Sequence, residues 1–151
     1  MEKLSNRALS TWKRYTFEQD DVLFPSQHHM ILIDDDPVFQ TIMSYQAELD
    51  KTSLVCLDSF HSQRDTPLLK ASDVIILDYE VSGLEAPDLI REFRSLAITG
   101  PILLISQREQ NEDLLTKLDN VRKFVMKSVG YGAILKLAKK IIQKRSIDFI
   151  D

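Results

Sequence analysis

Aspartates stand directly after two apolar segments of this chain. Asp34 and Asp35 follow residues 30–33, and Asp78 follows residues 74–77. A single aspartate at such a place is commonly a helix cap, because its side-chain oxygen accepts a hydrogen bond from a backbone N–H. Two adjacent carboxylates, however, repel each other unless a cation or a lysine neutralises them. The three aspartates therefore indicate a cation site as an alternative to simple capping.

Two more apolar segments end in side chains that could hold a phosphoryl group. Ser106 follows residues 102–105, and Lys127 follows residues 121–126. If these segments are parallel strands, their carboxyl ends lie on one edge of the sheet together with the aspartates. Carboxylates at close range suit Mg²⁺, and a metal-neutralised aspartate can attack phosphorus and become an aspartyl phosphate. The hydroxyl and the ammonium would then hold phosphoryl oxygens, since phosphoryl transfer depends mainly on positioning and charge compensation.

The elements that must position these side chains alternate in type along the chain. Short apolar runs are typical of parallel strands buried on both faces, and periodic apolar stripes between them are typical of amphipathic helices. The predicted strands are 30–33, 53–60, 74–78, 102–106 and 121–126, and the predicted helices are 37–49, a weak one near 68–71 that Pro67 interrupts, 87–96, 113–118 and 131–144. Five such alternations predict a doubly wound α/β domain with a five-stranded parallel sheet.

Composition excludes several classes of function. Charged residues make up 28% and hydrophobic residues 44% of the chain, as in ordinary globular domains. No apolar run reaches the roughly 20 residues of a membrane helix, and no signal-peptide pattern opens the chain. The four glycines match neither the dinucleotide-binding fingerprint nor the P-loop. Cys56 lies in an apolar segment and is expected to be buried. We therefore expect a cytoplasmic protein without membrane contact.

Residues 1–28 form a separate predicted element. Leu4, Ala8, Trp12 and Tyr15 recur at spacings of three and four, which is the pattern of an amphipathic helix. This helix could pack on the body of the domain, or it could contact a partner, because Trp and Tyr are enriched at interfaces. The main domain is expected to span residues 29–145, with a short tail at 146–151.

The strand ends together resemble the receiver domain of two-component response regulators, over about residues 29–145. The likeness rests on four segments, Ile31-Leu32-Ile33-Asp34-Asp35-Asp36-Pro37, Ile75-Ile76-Leu77-Asp78-Tyr79, Leu103-Leu104-Ile105-Ser106 and Phe124-Val125-Met126-Lys127. It implies a flavodoxin-like sheet with the strand order 2-1-3-4-5. It also implies a signalling domain that is phosphorylated by a histidine kinase or a phosphotransfer protein.

The resemblance assigns roles around the phosphorylation site. Asp78 would be the phosphoacceptor. Mg²⁺ would be bound by Asp35, Asp78 and the backbone carbonyl of Glu80, and Asp34 would contribute through water.

The resemblance also implies a switch. Ser106 would move toward the phosphoryl group, and Lys127 would form a salt bridge there. Phe124 stands at the position of the aromatic residue whose rotamer reports this movement, although a phenylalanine has no hydroxyl to hydrogen-bond.

The chain departs from the receiver pattern at several positions. Residues 80–83 replace the usual methionine-proline-glycine loop, and Ala86 stands where a glycine is common. Gln107 replaces the small residue after the switch hydroxyl, and this amide is expected to slow the entry of a phosphodonor or of water. Ser128 replaces a proline that family members commonly join through a cis peptide, a form that costs about 2.5 to 4 kcal/mol without proline.

We therefore expect a phosphorylatable receiver and not an enzyme, with two alternatives. A pseudo-receiver would keep the fold and bind partners without phosphorylation, as Gln107 and Ser128 would favour. A Mg²⁺-dependent phosphohydrolase would use Asp78 as its nucleophile and Glu80, two residues later, as its acid, by likeness to the haloacid dehalogenase family.

The basic carboxyl-terminal part of the chain bears on its partners. Residues 117–151 carry nine basic and three acidic side chains, without the interleaved aromatic residues that would indicate nucleic-acid binding. We expect no nucleic-acid contact within this chain. The last helix and the amino-terminal helix are the two surfaces that we expect a homodimer to use.

Overall fold

The computed structural model describes residues 28–150, and it describes side chains up to residue 144. The predicted amino-terminal helix, with Leu4, Trp12 and Tyr15, lies outside the described residues. Within the described residues, no helix is both long enough and apolar enough to span a membrane.

Strands and helices alternate along the described chain. In order they are β1 (His29–Ile33), α1 (Pro37–Leu49), β2 (Ser53–Leu57), α2 (Ser62–Lys70), β3 (Val74–Asp78), β4 (Glu80–Val81), β5 (Leu84–Glu85), α3 (Ala86–Ser95), β6 (Ile102–Ser106), α4 (Glu112–Leu115), β7 (Val121–Met126) and α5 (Tyr131–Ile150), with a 3₁₀ turn at Lys127–Val129 before α5.

The five longer strands form one parallel sheet in the order β2-β1-β3-β6-β7. Counting only these strands, the order is 2-1-3-4-5. The predicted fold class and the flavodoxin-like strand order are therefore confirmed. Because all five strands run in the same direction, their carboxyl ends lie on one edge of the sheet, as the site requires.

Both faces of the sheet are buried, which explains why the strands read as continuous apolar runs. Val74 and Ile76 of β3 pack with residues of α1 and α5 on one face. Ile75 and Leu77 pack with residues of α2 and α3 on the other face. Cys56 is buried within the first of these clusters, as predicted. The helices on the two faces thereby hold the strand ends in place.

The residues after β3, where the sequence indicates a loop at 80–83, form a short β-hairpin. β4 and β5 pair antiparallel across Ser82 and Gly83, whose φ angles are +52° and +82°. Two central residues with positive φ make the tight turn that suits the twist of a two-residue hairpin. The Ser-Gly dipeptide between short apolar-containing pairs was the signal for this turn.

Four helices and two strands differ from their predicted bounds. β1 begins at residue 29 instead of 30, β2 ends at Leu57 instead of residue 60, and α3 is shifted by one residue, to 86–95. α2 continues through Pro67, because buried Leu69 anchors its last turn in the core. α4 is a single turn that begins after Asn111, whose side chain accepts a hydrogen bond from Leu114 N–H. α5 runs to Ile150 rather than ending at Lys144, because neither Gly nor Pro stops it.

Candidate functional site

Five of the seven predicted site residues line one cleft at the carboxyl edge of the sheet, and the other two, Asp34 and Phe124, are buried outside its lining. Its volume is about 380 Å³. The lining includes the predicted residues Asp35, Asp78, Glu80, Ser106 and Lys127, together with Asp36, Tyr79, Gly83, Glu85, Gln107, Arg108 and Gln110. The structure therefore brings together side chains that lie up to 92 positions apart in the sequence.

The three candidate metal ligands are close neighbours. One carboxylate oxygen from each of Asp34, Asp35 and Asp78 lies within 4.8 Å of those of the other two. The cause is the strand register: β1 and β3 are parallel with Ile33 opposite Leu77, so the residues that follow these two are also adjacent. The register of the apolar strands thus creates the acidic cluster.

Asp34 is fully buried behind the cleft. Its Oδ1 accepts a hydrogen bond from the backbone N–H of Asp36 at 2.9 Å. Its Oδ2 is paired with Lys127 Nζ, which lies 2.8 Å away. Burial raises the pKa of Asp34 above its ordinary value, and the pairing with Lys127 opposes this shift. A buried carboxylate of this kind favours a cation nearby.

Asp78 is nearly as buried, and it shares the same lysine. Its Oδ2 lies 3.6 Å from Lys127 Nζ. Burial, reinforced by the carboxylate of Asp34, raises the pKa of Asp78 to about 7, against the opposing charge of Lys127. The cleft therefore holds more negative charge than one lysine neutralises, and protonation of Asp78 relieves the excess when no cation is bound.

Lys127 reaches both aspartates although a serine follows it. The residues that the structure describes contain no cis peptide bond, so the Lys127–Ser128 bond is trans. The ammonium group lies 4.4 Å from the centre of the Phe39 ring, and the side chain is 9% exposed. Packing on Phe39 and pairing with two carboxylates thus hold the lysine without a cis bond.

Asp35 is exposed at the mouth of the cleft and is bound by the hairpin. Its Oδ2 accepts a hydrogen bond from the backbone N–H of Ser82 at 2.9 Å. Glu80, at the start of the hairpin, also lines the cleft. The β4–β5 turn therefore fixes one oxygen of Asp35.

Ser106 lines the cleft, but its hydroxyl bonds within its own loop. Ser106 Oγ donates to the carbonyl oxygen of Arg108 at 2.8 Å and accepts from the N–H of Arg108 at 3.0 Å. The side chain of Phe124 is buried against the sheet with Leu104 and Leu115. Gln107 is exposed and lines the cleft beside Ser106.

Two residues near the site were not among the predicted ones. Gln40 of α1 is buried, and its amide donates to the carbonyl oxygen of Asp34 and to Oδ1 of Asp58, the latter at 2.6 Å. Asp58 directly follows Leu57 at the end of β2. The predicted strand 53–60 ran past this position, so the strand-end rule did not identify Asp58. For Gln40, nothing in the helical pattern indicates a contact with the acidic loop.

The acidic cluster fits a hard divalent cation. Three carboxylate oxygens at close range, from two buried aspartates and one exposed aspartate, are ligands that such a cation prefers. The cluster could therefore hold a metal ion, and Lys127 supplies part of the compensating charge from the other side.

Comparisons with known proteins agree with this architecture. No protein-family model matches the chain. The nitrate/nitrite response regulator protein homolog of Haemophilus influenzae is 28% identical over 117 residues, which cover 76% of this chain and 56% of that protein. The chain thus matches little more than half the length of this curated relative.

Solved receiver domains have the same fold. A CheY-like response regulator receiver domain protein from Methanospirillum hungatei is 12% identical with a TM-score of 0.67, covering 82% of this chain and 99% of that one. A response regulator receiver domain protein from Clostridium thermocellum is 18% identical with a TM-score of 0.65, covering 80% and 98%. The resemblance that the strand ends indicated is confirmed at the level of the fold, and this chain has the fold of a response regulator receiver domain.

Proposed function

We propose that this chain is a phosphoacceptor receiver that is phosphorylated on Asp78. The observation that carries the proposal is the convergence of Asp34, Asp35 and Asp78 within 4.8 Å on one side and Lys127 Nζ at 2.8 and 3.6 Å from two of them on the other. This is an arrangement of charges that suits a phosphoryl group and its counter-ion.

The proposed donor is a phosphohistidine of a histidine kinase or phosphotransfer protein. An oxygen of the Asp78 carboxylate forms a bond to phosphorus as the bond between phosphorus and the donor's imidazole nitrogen breaks, and that nitrogen then takes a proton. Lys127 holds one phosphoryl oxygen by charge. Asp78 must be ionised to attack, and its raised pKa means that a nearby positive charge favours the reactive form.

The proposed counter-ion is Mg²⁺, bound by Asp35, Asp78 and the backbone carbonyl of Glu80, with Asp34 acting through water. When bound, the ion would neutralise the carboxylates and help to orient the phosphoryl oxygens. Ser82 keeps one oxygen of Asp35 fixed and leaves the other available to the ion.

The proposed output is a change in the loop after β6. To reach a phosphoryl group on Asp78, Ser106 must give up both hydrogen bonds to Arg108. The loop and α4 would then move, and Phe124 would repack beside them. A partner that binds the two arrangements unequally reads the switch. Dimer formation through α5 or through the amino-terminal segment stays a prediction.

Beryllofluoride binding tests the proposal most directly, since this compound mimics a phosphoryl group on aspartate. We expect saturable binding that requires Mg²⁺, with NMR shifts at Ser106, Phe124 and Lys127. Asp78→Asn should abolish binding, whereas the exposed control Asp113→Asn should leave it unchanged.

Other outcomes of the same experiment would contradict the proposal. Absence of binding to both Mg²⁺ and beryllofluoride would favour the pseudo-receiver. Steady turnover of a phosphate ester, lost in Glu80→Gln, would favour the phosphohydrolase.

A further inference from the structure

A buried amide lies under the acidic loop. Gln40 is 3% exposed, and its Nε2 group uses both hydrogens: one goes to the carbonyl oxygen of Asp34, the other to Oδ1 of Asp58. Both acceptors belong to loops at the carboxyl edge of the sheet. Gln40 therefore links the loop after β1 to the loop after β2.

The same two loops make further contacts with the hairpin. The N–H of Asp34 donates to the carbonyl oxygen of Leu57 at 3.0 Å. Ser82, whose N–H binds the Asp35 carboxylate, also directs its hydroxyl at the carbonyl oxygen of Asp58, at 3.5 Å. A chain of contacts thus connects α1, through Asp58 and Ser82, to Asp35, the exposed candidate metal ligand.

The chemistry of an amide suits this position. An apolar side chain of similar length would fill the space under the loop, but it could not hold a carbonyl oxygen. A lysine or arginine could donate the hydrogen bonds, but its charge would repel a cation at the aspartates. A neutral double donor fixes the loop and leaves the negative potential for the cation intact.

We propose that Gln40 is a positioning residue for the cation bound by Asp34, Asp35 and Asp78, and that Asp58 orients Gln40. This inference rests on the cation site of the proposed function. Residues that hold metal ligands in place commonly change metal affinity by 10-fold to 100-fold when they are replaced.

The first test is a titration of the full chain with Mg²⁺ alone, in which calorimetry or NMR detects binding. Gln40→Met keeps the length of the side chain but removes both donors, and we expect it to weaken Mg²⁺ binding about 10-fold. Gln46→Met is the matched control, because Gln46 lies on the same helix near Gly132 instead of the acidic loop. Its Mg²⁺ affinity should equal that of the unsubstituted chain.

An exchange of partners separates positioning from simple structural support. In the double variant Gln40→Glu with Asp58→Asn, an asparagine amide can donate to the new carboxylate, so the link between α1 and the loop after β2 re-forms. The glutamate, however, cannot donate to the Asp34 carbonyl. We expect the double variant to melt at a higher temperature than Gln40→Glu alone, because the asparagine removes the repulsion between two carboxylates, while Mg²⁺ affinity stays about 10-fold low.

Each result has a distinct meaning. If the unsubstituted chain binds no Mg²⁺, the proposed function itself fails. If it binds Mg²⁺ and Gln40→Met binds equally well, only the role of Gln40 is overturned. Recovery of full Mg²⁺ affinity in the exchanged pair would also overturn that role, because structural support alone would then account for the effect.

Discussion

The two halves of the cleft are held in different ways. The acidic loop after β1 has long-range partners: Asp34 is held by Leu57 and by Lys127, and Asp35 by Ser82. The hydroxyl of Ser106, at the end of β6, bonds to Arg108, two residues away. The acidic half of the cleft, with Asp34 and Asp35, is thus held by distant elements. The hydroxyl half, with Ser106, is held by a local turn.

Under the proposed function, this difference separates cation binding from switching. Ligands that must meet a cation and a phosphoryl group gain from being held in advance, because no reorganisation is then required. A hydroxyl that must move gains from weak local bonds, since each such bond contributes only about 1 kcal/mol net. The comparison predicts that substitutions in the acidic half change cation affinity and stability, whereas those in the hydroxyl half change mainly the response.

The largest effect on stability should come from removing the charge of Lys127. Lys127→Met leaves Asp34 and Asp78 buried without their cation, so we expect the free energy of unfolding at pH 8 without Mg²⁺ to fall by about 3 to 5 kcal/mol. Urea denaturation measures this change, and added Mg²⁺ should restore part of the stability.

Lys139→Met is the control for that experiment. Lys139 pairs with Asp50 at 3.5 Å, and both side chains are more than a third exposed. An exposed pair contributes about 0 to 1 kcal/mol. A comparable loss in both variants would mean that the buried pair has no special importance.

The pH dependence of stability should show the cost of burying two carboxylates in the acidic half. The pKa of Asp78 is raised from 3.8 to about 7 in the folded chain, so the folded state holds this proton more tightly than the unfolded state does. Without Mg²⁺, the free energy of unfolding should therefore fall as pH rises from about 4 to 7, by at most about 4 kcal/mol from this group. The raised pKa of Asp34 acts in the same direction.

Asp78→Asn tests this assignment. The variant should be more stable than the unsubstituted chain at pH 8 without Mg²⁺, and its stability should vary less between pH 4 and pH 8. Urea denaturation across this range, with Asp113→Asn as the control, provides the measurement. An equal slope in all three chains would assign the effect to other groups.

The smallest effect on stability should come from the hydroxyl half. Ser106→Ala removes two local hydrogen bonds, and because Arg108 is exposed, water can replace them. We expect a change below about 1 kcal/mol and unchanged Mg²⁺ affinity. Beryllofluoride should still bind, but its NMR effect at Phe124 should be lost.

Ser95→Ala is the matched control, because Ser95 Oγ also donates to a backbone carbonyl, that of Glu92, away from the cleft. It should keep the response at Phe124. If Ser106→Ala instead weakened Mg²⁺ binding as much as Gln40→Met, the two halves would not be independent.

Much of the site could be predicted because it follows the strands. Each of Asp34, Asp78, Ser106 and Lys127 lies at or directly after the end of a buried strand, and a parallel sheet places such positions on one edge. The predicted start of α1 is also local: Pro37 is its first residue, and the side chain of Asp36 accepts hydrogen bonds from the N–H groups of Val38 and Phe39. These features depend on residues next to each other in the chain.

The sequence by itself thus determined the order of elements, the parallel sheet and the side chains at its edge, because apolar periodicity and strand ends are local properties. Only the tertiary structure decided what holds those side chains. The bond from Gln40 to Asp58 joins residues 18 positions apart, and that from Ser82 to Asp35 spans 47. Such contacts depend on how helices and hairpins pack against the sheet, and no local pattern encodes that packing.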